Sequence, residues 1–379
     1  MRTLILSCNT GAGHNSCARA VQEAYNAKGE VCEIADALLF ISERASQFIS
    51  NWHTRIYLHA PRLFKVGYQS AENHESLFHE GRGIYKFLTS GADRLYDYII
   101  DGGYDNIICT HVFPALAITE MLERHPELEI STSFISTDYT CSPSVSDSCL
   151  DRYFIPDESL CDEFARCGVP REKLIASGLP AKAAFYKRPD KREAKRALGM
   201  DENQRHLLMM CGSMGCGPIR DLTELLCERI GENQTVSIVC GSNEELYEKL
   251  TKKFGAVPRV HIYGVVSDMP PLMQSADLFL TKPGGLSSTE AAAAGVPMVL
   301  IDAVAGCEEH NLKFFLALGA AVTADTPEEL AELSLALLSD EKHLAEMSAA
   351  LPAAGETPAE KIYAQLLRCA EKRSKEKYA

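Results

Sequence analysis

Four short stretches of this sequence combine residue types that chemistry can use. The first, Asn9-Thr10-Gly11-Ala12-Gly13-His14-Asn15, sets an imidazole beside two glycines directly after an apolar run. Glycines there let the chain turn tightly and leave helix N–H groups open to a ligand, commonly an anion. Imidazole is the side chain whose ordinary pKa suits proton abstraction near neutrality. His14 is therefore a candidate general base; the plainer reading is a strand-to-helix turn with a polar cap. The second stretch, Ser136-Thr137-Asp138-Tyr139, ends another apolar run in the same half. A carboxylate there either orients His14, receives a substrate hydroxyl, or simply caps the next segment.

The third stretch is Cys211-Gly212-Ser213-Met214-Gly215-Cys216-Gly217. It lacks the Lys-Ser/Thr pair of an ATPase P-loop and the GxGxxG spacing of a dinucleotide fingerprint. A backbone cradle for a diphosphate needs neither. The fourth and most informative runs from Thr281-Lys282-Pro283-Gly284-Gly285-Leu286-Ser287-Ser288-Thr289-Glu290 through Gly295 and Pro297 to Gly306-Cys307-Glu308-Glu309-His310-Asn311. It reads as strand, glycine turn, helix, strand and polar loop. The glycine pair and the helix start suit phosphate, Glu290 suits ribose hydroxyls, and Glu308 to Asn311 suit the hydroxyls of a sugar. From the residues alone this block predicts a nucleotide-sugar site.

The elements that must position these groups alternate along the chain. Apolar runs at Thr3–Cys8, Val31–Ala35, Asn106–Thr110, Ser133–Thr137 and Arg152–Ile155 predict strands, with a helix over Ser16–Lys28 after the first. The rhythm breaks near Gly178-Leu179-Pro180, and a charged stretch from Lys187 to Arg196 follows. It then restarts with strands at His206–Cys211, Thr235–Cys240, Val260–Tyr263, Leu278–Thr281 and Pro297–Ile301, a helix over Leu222–Ile230, and a polar-faced helix over Ala359–Tyr378. Short buried runs alternating with helices are the pattern of parallel α/β sheets. Two restarts predict two Rossmann-like domains, which suits 379 residues.

Composition narrows the class. The hydrophobic fraction of 46% and charged fraction of 24% are those of a globular protein. The net charge of −14 argues against nucleic acid as a partner. No apolar run approaches the roughly 18 residues of a spanning helix, and the first strand is too short for a signal peptide, so a cytoplasmic protein is expected. The 14 cysteines include no CxxC pair and do not cluster with histidines, which favours reduced thiols over disulfides or zinc. Between Arg44 and Arg94 seven basic residues face four acidic ones, a local +3, with Phe48, Trp52, Tyr57, Phe64 and Tyr68 interleaved. That mixture suits an interfacial patch on an anionic membrane surface; a helical core face with a solvated basic side is the plainer reading.

Gly11-Ala12-Gly13-His14, the region Trp52 to Asn73, and the Lys282-Pro283-Gly284-Gly285 to Asn311 block together resemble the monogalactosyldiacylglycerol synthase and processive diacylglycerol glucosyltransferase family, over about residues 1–365. The lipid-linked N-acetylglucosaminyltransferase of peptidoglycan assembly is a more distant relative. The resemblance implies a GT-B fold, with two Rossmann-like α/β domains facing across a cleft. It implies an inverting, metal-independent transfer of glucose or galactose from a UDP-sugar to a diacylglycerol-type hydroxyl, with no cofactor. By the same resemblance His14 is the base, and Gly11 and Gly13 form the loop facing donor and acceptor. Gly212, Ser213 and Gly215 lie in the diphosphate loop, and Val265 lies where backbone holds the uracil. Gly284, Gly285, Ser287 and Ser288 lie near the phosphates, Glu290 at the ribose, and Glu308 and Asn311 at the sugar. Two positions depart from the family pattern: Cys307 stands where a Gln is usual, and Ser142 where relatives often carry His.

The expectation is thus a hexosyltransferase with an acceptor and membrane-facing domain over 1–185 and a UDP-sugar domain over 186–355. A C-terminal helix over 356–379 packs back on the first domain. His14 and Asp138 are its catalytic candidates, and it sits peripherally on the inner face of the cell membrane. The rival readings are an epimerase or transferase with another lipid-linked or soluble acceptor on the same scaffold, and a non-catalytic UDP-sugar-binding regulator.

Overall fold

Strand β1 (Arg2–Ser7) is buried along five of its six residues, without the alternation of a half-exposed strand. β3 (Asn106–Cys109) and β8 (Gln234–Val239), strands from the two halves of the chain, are buried throughout. Strands buried so continuously have both faces covered, as in parallel sheets with helices on each side. The computed structural model of the chain has that arrangement twice. It describes all residues except Thr10, 50–82, Cys216, 302–305, Ala354 and 378–379.

The chain divides into two compact units. One comprises Met1–Ala183, Ala305–Cys307 and Glu356–Ala379, the other Ala184–Val304 and Glu308–Gly355. The first unit holds a six-stranded sheet in the order β2-β1-β3-β4-β5-β6. Its remaining strands are β2 (Val31–Asp36), β4 (Ser131–Ile135), β5 (Arg152–Ile155) and β6 (Leu174–Ala176). All the pairings are parallel, with Thr3, Leu4, Ile5 and Leu6 of β1 opposite Asn106 to Cys109 of β3. The core beside this sheet gathers Leu4, Leu6, Ile107, Ile118, Phe134, Tyr153 and Phe164.

The second unit holds a six-stranded sheet in the order β12-β11-β10-β7-β8-β9. It is built from β7 (Arg205–Met210), β8, β9 (Val260–Tyr263), β10 (Leu278–Thr281), β11 (Met298–Leu300) and β12 (Ala321–Val322). This sheet too is parallel, with Leu278 to Thr281 of β10 opposite Leu207 to Met210 of β7. In each unit the order reverses beside the first strand, between β1 and β3 and between β7 and β10. Loops leaving the carboxyl ends of those two strands diverge to opposite faces and open a crevice, the usual ligand position in such sheets.

Helix Pro358–Lys377 belongs to the first unit although the second unit precedes it in the chain. It starts on a reciprocal cap: Thr357 N–H donates to Glu360 Oε2 at 2.9 Å, and Glu360 N–H to Thr357 Oγ1 at 3.2 Å. Tyr363 on this helix meets Tyr25 edge to face at 4.9 Å, and Tyr25 is fully buried.

Two local expectations are revised. The first helix begins at Ala12, not near Ser16, so His14 lies in its first turn and not on the loop before it. Glycine is tolerated at a helix start, so Gly13 does not delay it. The polar stretch after β11 is likewise not a loop, since Glu308 and Asn311 lie on helix Cys307–Ala317. Among the described residues no helix is long and apolar enough to cross a membrane. Trp52, Tyr57, Phe64 and Tyr68 lie outside the described residues; Phe48, just before them, is 65% exposed.

Candidate functional site

In the first unit the turn after β1 is held by a relay of side chains. Ser7 Oγ donates to Asn15 Oδ1 at 2.7 Å, Asn15 Nδ2 to Asn9 Oδ1 at 2.8 Å, and Asn9 Nδ2 to Asp36 Oδ2 at 2.9 Å. Gly11 is the N-cap of helix Ala12–Ala27 without a side-chain cap, in extended backbone open to any residue. A Cβ built on Gly11 meets nothing within 4 Å. Among the described residues, none fills the space beside that helix start.

His14 is half-buried on the first turn. Its Nδ1 lies 2.8 Å from the Thr110 carbonyl oxygen and 3.1 Å from Thr137 Oγ1. A carbonyl can only accept, so Nδ1 carries the proton and donates it. The lone pair is then on Nε2, the tautomer a general base needs. The positioning partners come from the loops after β3 and β4, so the sheet itself brings them to the turn after β1. Asp138, next to Thr137, is half-buried, and its carbonyl oxygen accepts from Ser136 Oγ at 2.9 Å.

A second imidazole stands beside the first. The His111 ring meets that of His14 edge to face, with centroids 4.5 Å apart and planes at 75°. His111 is the N-cap of helix Val112–Arg124, and its Nδ1 accepts from the Phe113 N–H at 3.1 Å. Its proton is therefore on Nε2. Thr110 and His111 were passed over in the sequence because no glycine marks them. The available signal was a polar pair between a four-residue apolar strand and a helix, the same grammar as the first motif.

In the second unit the glycine loop after β7 is a backbone structure. Gly212, Gly215 and Gly217 have φ of 69°, 59° and 100°, the region that favours glycine. The loop lies against the end of β8: Ser242 N–H donates to Ser213 O at 2.9 Å, and Asn243 Nδ2 to Gly215 O at 3.3 Å. A Cβ on Gly215 would come within 2.1 Å of the Cys240 carbonyl oxygen. Side chains are excluded here by close approach of two backbones.

After β10 the chain turns through Lys282-Pro283-Gly284 into helix Gly285–Ala294, whose cap Gly284 makes no side-chain cap bond. A Cβ on Gly284 also meets nothing within 4 Å. Asn311, fully buried, holds this turn from the neighbouring helix, its Nδ2 donating to Pro283 O at 3.0 Å. Ser288 Oγ is buried and has no hydrogen-bond partner among the described residues, while Ser287 and Glu290 are half-buried along the same helix. Glu308 lies 3.5 Å from Lys282 Nζ, both side chains buried. Because β7 and β10 are paired, the two glycine turns share one crevice: a Cβ on Gly217 would lie 3.8 Å from Lys282 Cδ. Uncapped helix N–H groups, glycines and a buried ammonium are groups whose chemistry suits an anion. Among the described residues no group of acidic, His and Cys side chains is arranged to hold a metal ion. Val265, after β9, is 76% exposed.

Residues 14–181 match the family described as monogalactosyldiacylglycerol (MGDG) synthase, and residues 221–352 match glycosyl transferases group 1. The processive diacylglycerol beta-glucosyltransferase of Staphylococcus saprophyticus is 26% identical over 356 residues, 93% of this chain and 88% of that protein. That of Staphylococcus carnosus is 30% identical over 267 residues, 70% of this chain and 66% of that protein. The chain belongs to the monogalactosyldiacylglycerol synthase and processive diacylglycerol glucosyltransferase family. It is a hexosyltransferase. MurG of Acinetobacter baumannii, 17% identical, superposes over 97% of this chain and 98% of its own with a TM-score of 0.61. A UDP-GlcNAc 2-epimerase from Neisseria meningitidis, 14% identical, covers 97% of this chain and 99% of its own with a TM-score of 0.60. These likenesses establish the GT-B fold of two Rossmann-like units.

Proposed function

We propose that this hexosyltransferase moves glucose or galactose from a UDP-sugar to the hydroxyl of a diacylglycerol-type lipid, inverting the anomeric centre. The observation that carries the reading is the His14 tautomer: with Nδ1 committed to the Thr110 carbonyl, Nε2 is a fixed proton acceptor in a sheet crevice. The acceptor oxygen attacks the anomeric carbon as its proton passes to Nε2. The bond from that carbon to the diphosphate breaks, and UDP departs with the electron pair. Asp138 supports His14 from the adjoining loop, and Gly11 and Gly13 leave room at the turn.

The donor's diphosphate fits the crevice of Gly212, Ser213, Gly215, Gly284, Gly285, Ser287 and Ser288. Glu290 takes the ribose, Val265 marks the uracil, and Glu308 and Asn311 the hexose. Backbone N–H groups stabilise the leaving group, so activity survives EDTA. The diacylglycerol acceptor rests on the names of the relatives. A peripheral site on the inner membrane face rests on the exposed Phe48 and the local +3 of residues 44–94.

The test is to incubate the protein with diacylglycerol liposomes and UDP-glucose or UDP-galactose separately, with and without EDTA, and identify lipid products by mass spectrometry. A hexosyl-diacylglycerol from one donor is expected. No lipid product from either donor would overturn the reading.

A further inference from the structure

Gly11 and Gly13 leave the backbone of the turn that carries His14 freer than other residues would. Gly11 caps the helix without a side-chain bond, and a Cβ on it meets none of the described residues within 4 Å. The Thr110 carbonyl fixes the His14 ring at Nδ1. A ring bond places Nε2 only as well as the backbone beneath the ring is placed, so the turn needs a hold of its own.

The relay from Ser7 to Asp36 supplies one, and its two ends are neighbours in the sheet. Ser7 and Asp36 are register partners, the last residues of β1 and β2. The relay leaves the sheet at Ser7, passes through Asn15 and Asn9, and returns at Asp36. Asn9 and Asn15 thereby clasp the turn on either side of Gly11, Gly13 and His14. The sense of every bond is set at one end. A carboxylate only accepts, so Asn9 turns its Nδ2 to Asp36 and keeps Oδ1 for Asn15, which in turn offers Oδ1 to the Ser7 hydroxyl. Asp36 is itself anchored: its Oδ1 accepts the Leu38 N–H at 3.1 Å and its Oδ2 the Ser46 hydroxyl at 2.6 Å.

We infer that Asp36 is a positioning residue for the transfer: by setting the sense of the relay it holds the glycine turn, and with it His14, in the place where Nε2 meets the acceptor hydroxyl. This rests on the reading of His14 as the base. Asp36 takes no proton, since the acceptor's proton goes to His14 Nε2. Two separate constraints then set the base, Thr110 its tautomer and Asp36 the backbone that carries it.

The experiment compares Asp36→Ala, Asp36→Asn and Asn15→Leu with the wild type, measuring hexose transfer to diacylglycerol vesicles, UDP affinity by calorimetry and Tm. Asp36→Ala is expected to lower kcat about 10–10²-fold, the scale of a displaced reacting group, with UDP affinity unchanged. Asn15→Leu breaks the clasp at its other end and should lose a similar factor. Asp36→Asn is the rescue. Its amide can donate to Asn9, both asparagines can turn over and Ser7 Oγ can accept, so the clasp survives with its sense reversed and most of the lost kcat returns. An Asp36→Ala enzyme within about threefold of wild-type kcat overturns the inference. So does one whose UDP affinity falls in step with kcat, the mark of a merely structural role. An Asp36→Asn enzyme as slow as Asp36→Ala overturns it too, since the charge and not the hydrogen bonds would then matter. Should Asp36→Ala not fold, Asn15→Leu decides by the same criteria. Failure of the His14 reading looks different: His14→Gln then turns over at nearly the wild-type rate.

Discussion

The crevice beside β1 and the crevice beside β7 occupy equivalent places in two sheets, yet they are furnished in opposite ways. In the first unit polar side chains gather beside the turn after β1: two imidazoles of defined tautomer and the Thr137 hydroxyl, with Asp138 next in the chain. In the second it is lined largely by glycine and backbone, with Lys282 and Glu308 buried at its edge. Moving a proton requires one atom of suitable basicity in one place, which only a side chain supplies. Holding a diphosphate requires N–H groups and room, which a side chain obstructs. The first crevice should therefore be sensitive to side chains removed, and the second to side chains added.

The largest effect expected is at His14. His14→Gln keeps a polar group but cannot take the proton, and should lower kcat about 10²–10⁴-fold with UDP affinity nearly unchanged. The acid limb of the wild-type rate profile should vanish with it, and Asp138→Asn should show a smaller defect. Near wild-type turnover in His14→Gln would make the β1 crevice a structural turn and end the contrast. Next is Glu290→Ala, expected to weaken UDP binding by about 2–3 kcal/mol, the loss of hydrogen bonds to a charged group. Calorimetry with UDP alone measures it, and an unaltered affinity would place the nucleotide elsewhere.

Adding a methyl group separates the two kinds of glycine in the second unit. Gly215→Ala forces a side chain into left-handed backbone at about 1–2 kcal/mol and drives Cβ to 2.1 Å from Cys240 O. Its Tm should fall along with UDP affinity. Gly284 has an ordinary φ of −74°, and a Cβ on it meets none of the described residues within 4 Å. Gly284→Ala should leave Tm nearly unchanged and weaken UDP binding alone; equal thermal losses in the two variants would mean both glycines are structural. The smallest effect is at Thr137. Thr137→Val removes one hydrogen bond to Nδ1 while the Thr110 carbonyl remains, so kcat should fall roughly fivefold, about 1 kcal/mol.

Much of the scaffold was legible because its strands are apolar runs between turn residues. Arg152–Ile155, Val260–Tyr263 and Leu278–Thr281 fall where the pattern put them. β12, of two residues, is too short to carry a pattern. Helix Cys307–Ala317 was hidden for a different reason: its buried face is Glu308, Asn311 and Phe315, spaced for a helix but mostly polar. Hydrophobic periodicity cannot see a buried face that is polar. At the β1 crevice the candidate His14 and the Thr137 stretch beside it were legible from type and neighbours, but Thr110 and His111 were not. Thr110 acts through a backbone carbonyl, which every residue has, so its sequence carries no trace of that role.

Helix Pro358–Lys377 has a consequence for how the molecule is made. The second unit is inserted into the first, so the chain crosses from one to the other and back again. On the ribosome the six strands of the first sheet emerge early, but the helix that brings Tyr363 against Tyr25 is synthesised only after the whole of the second unit. During that interval the nascent first unit lacks this partner for helix Ala12–Ala27, the helix that carries His14. Domains generally fold as units during synthesis; here the unit that begins first is completed last, so the two halves of the enzyme mature together.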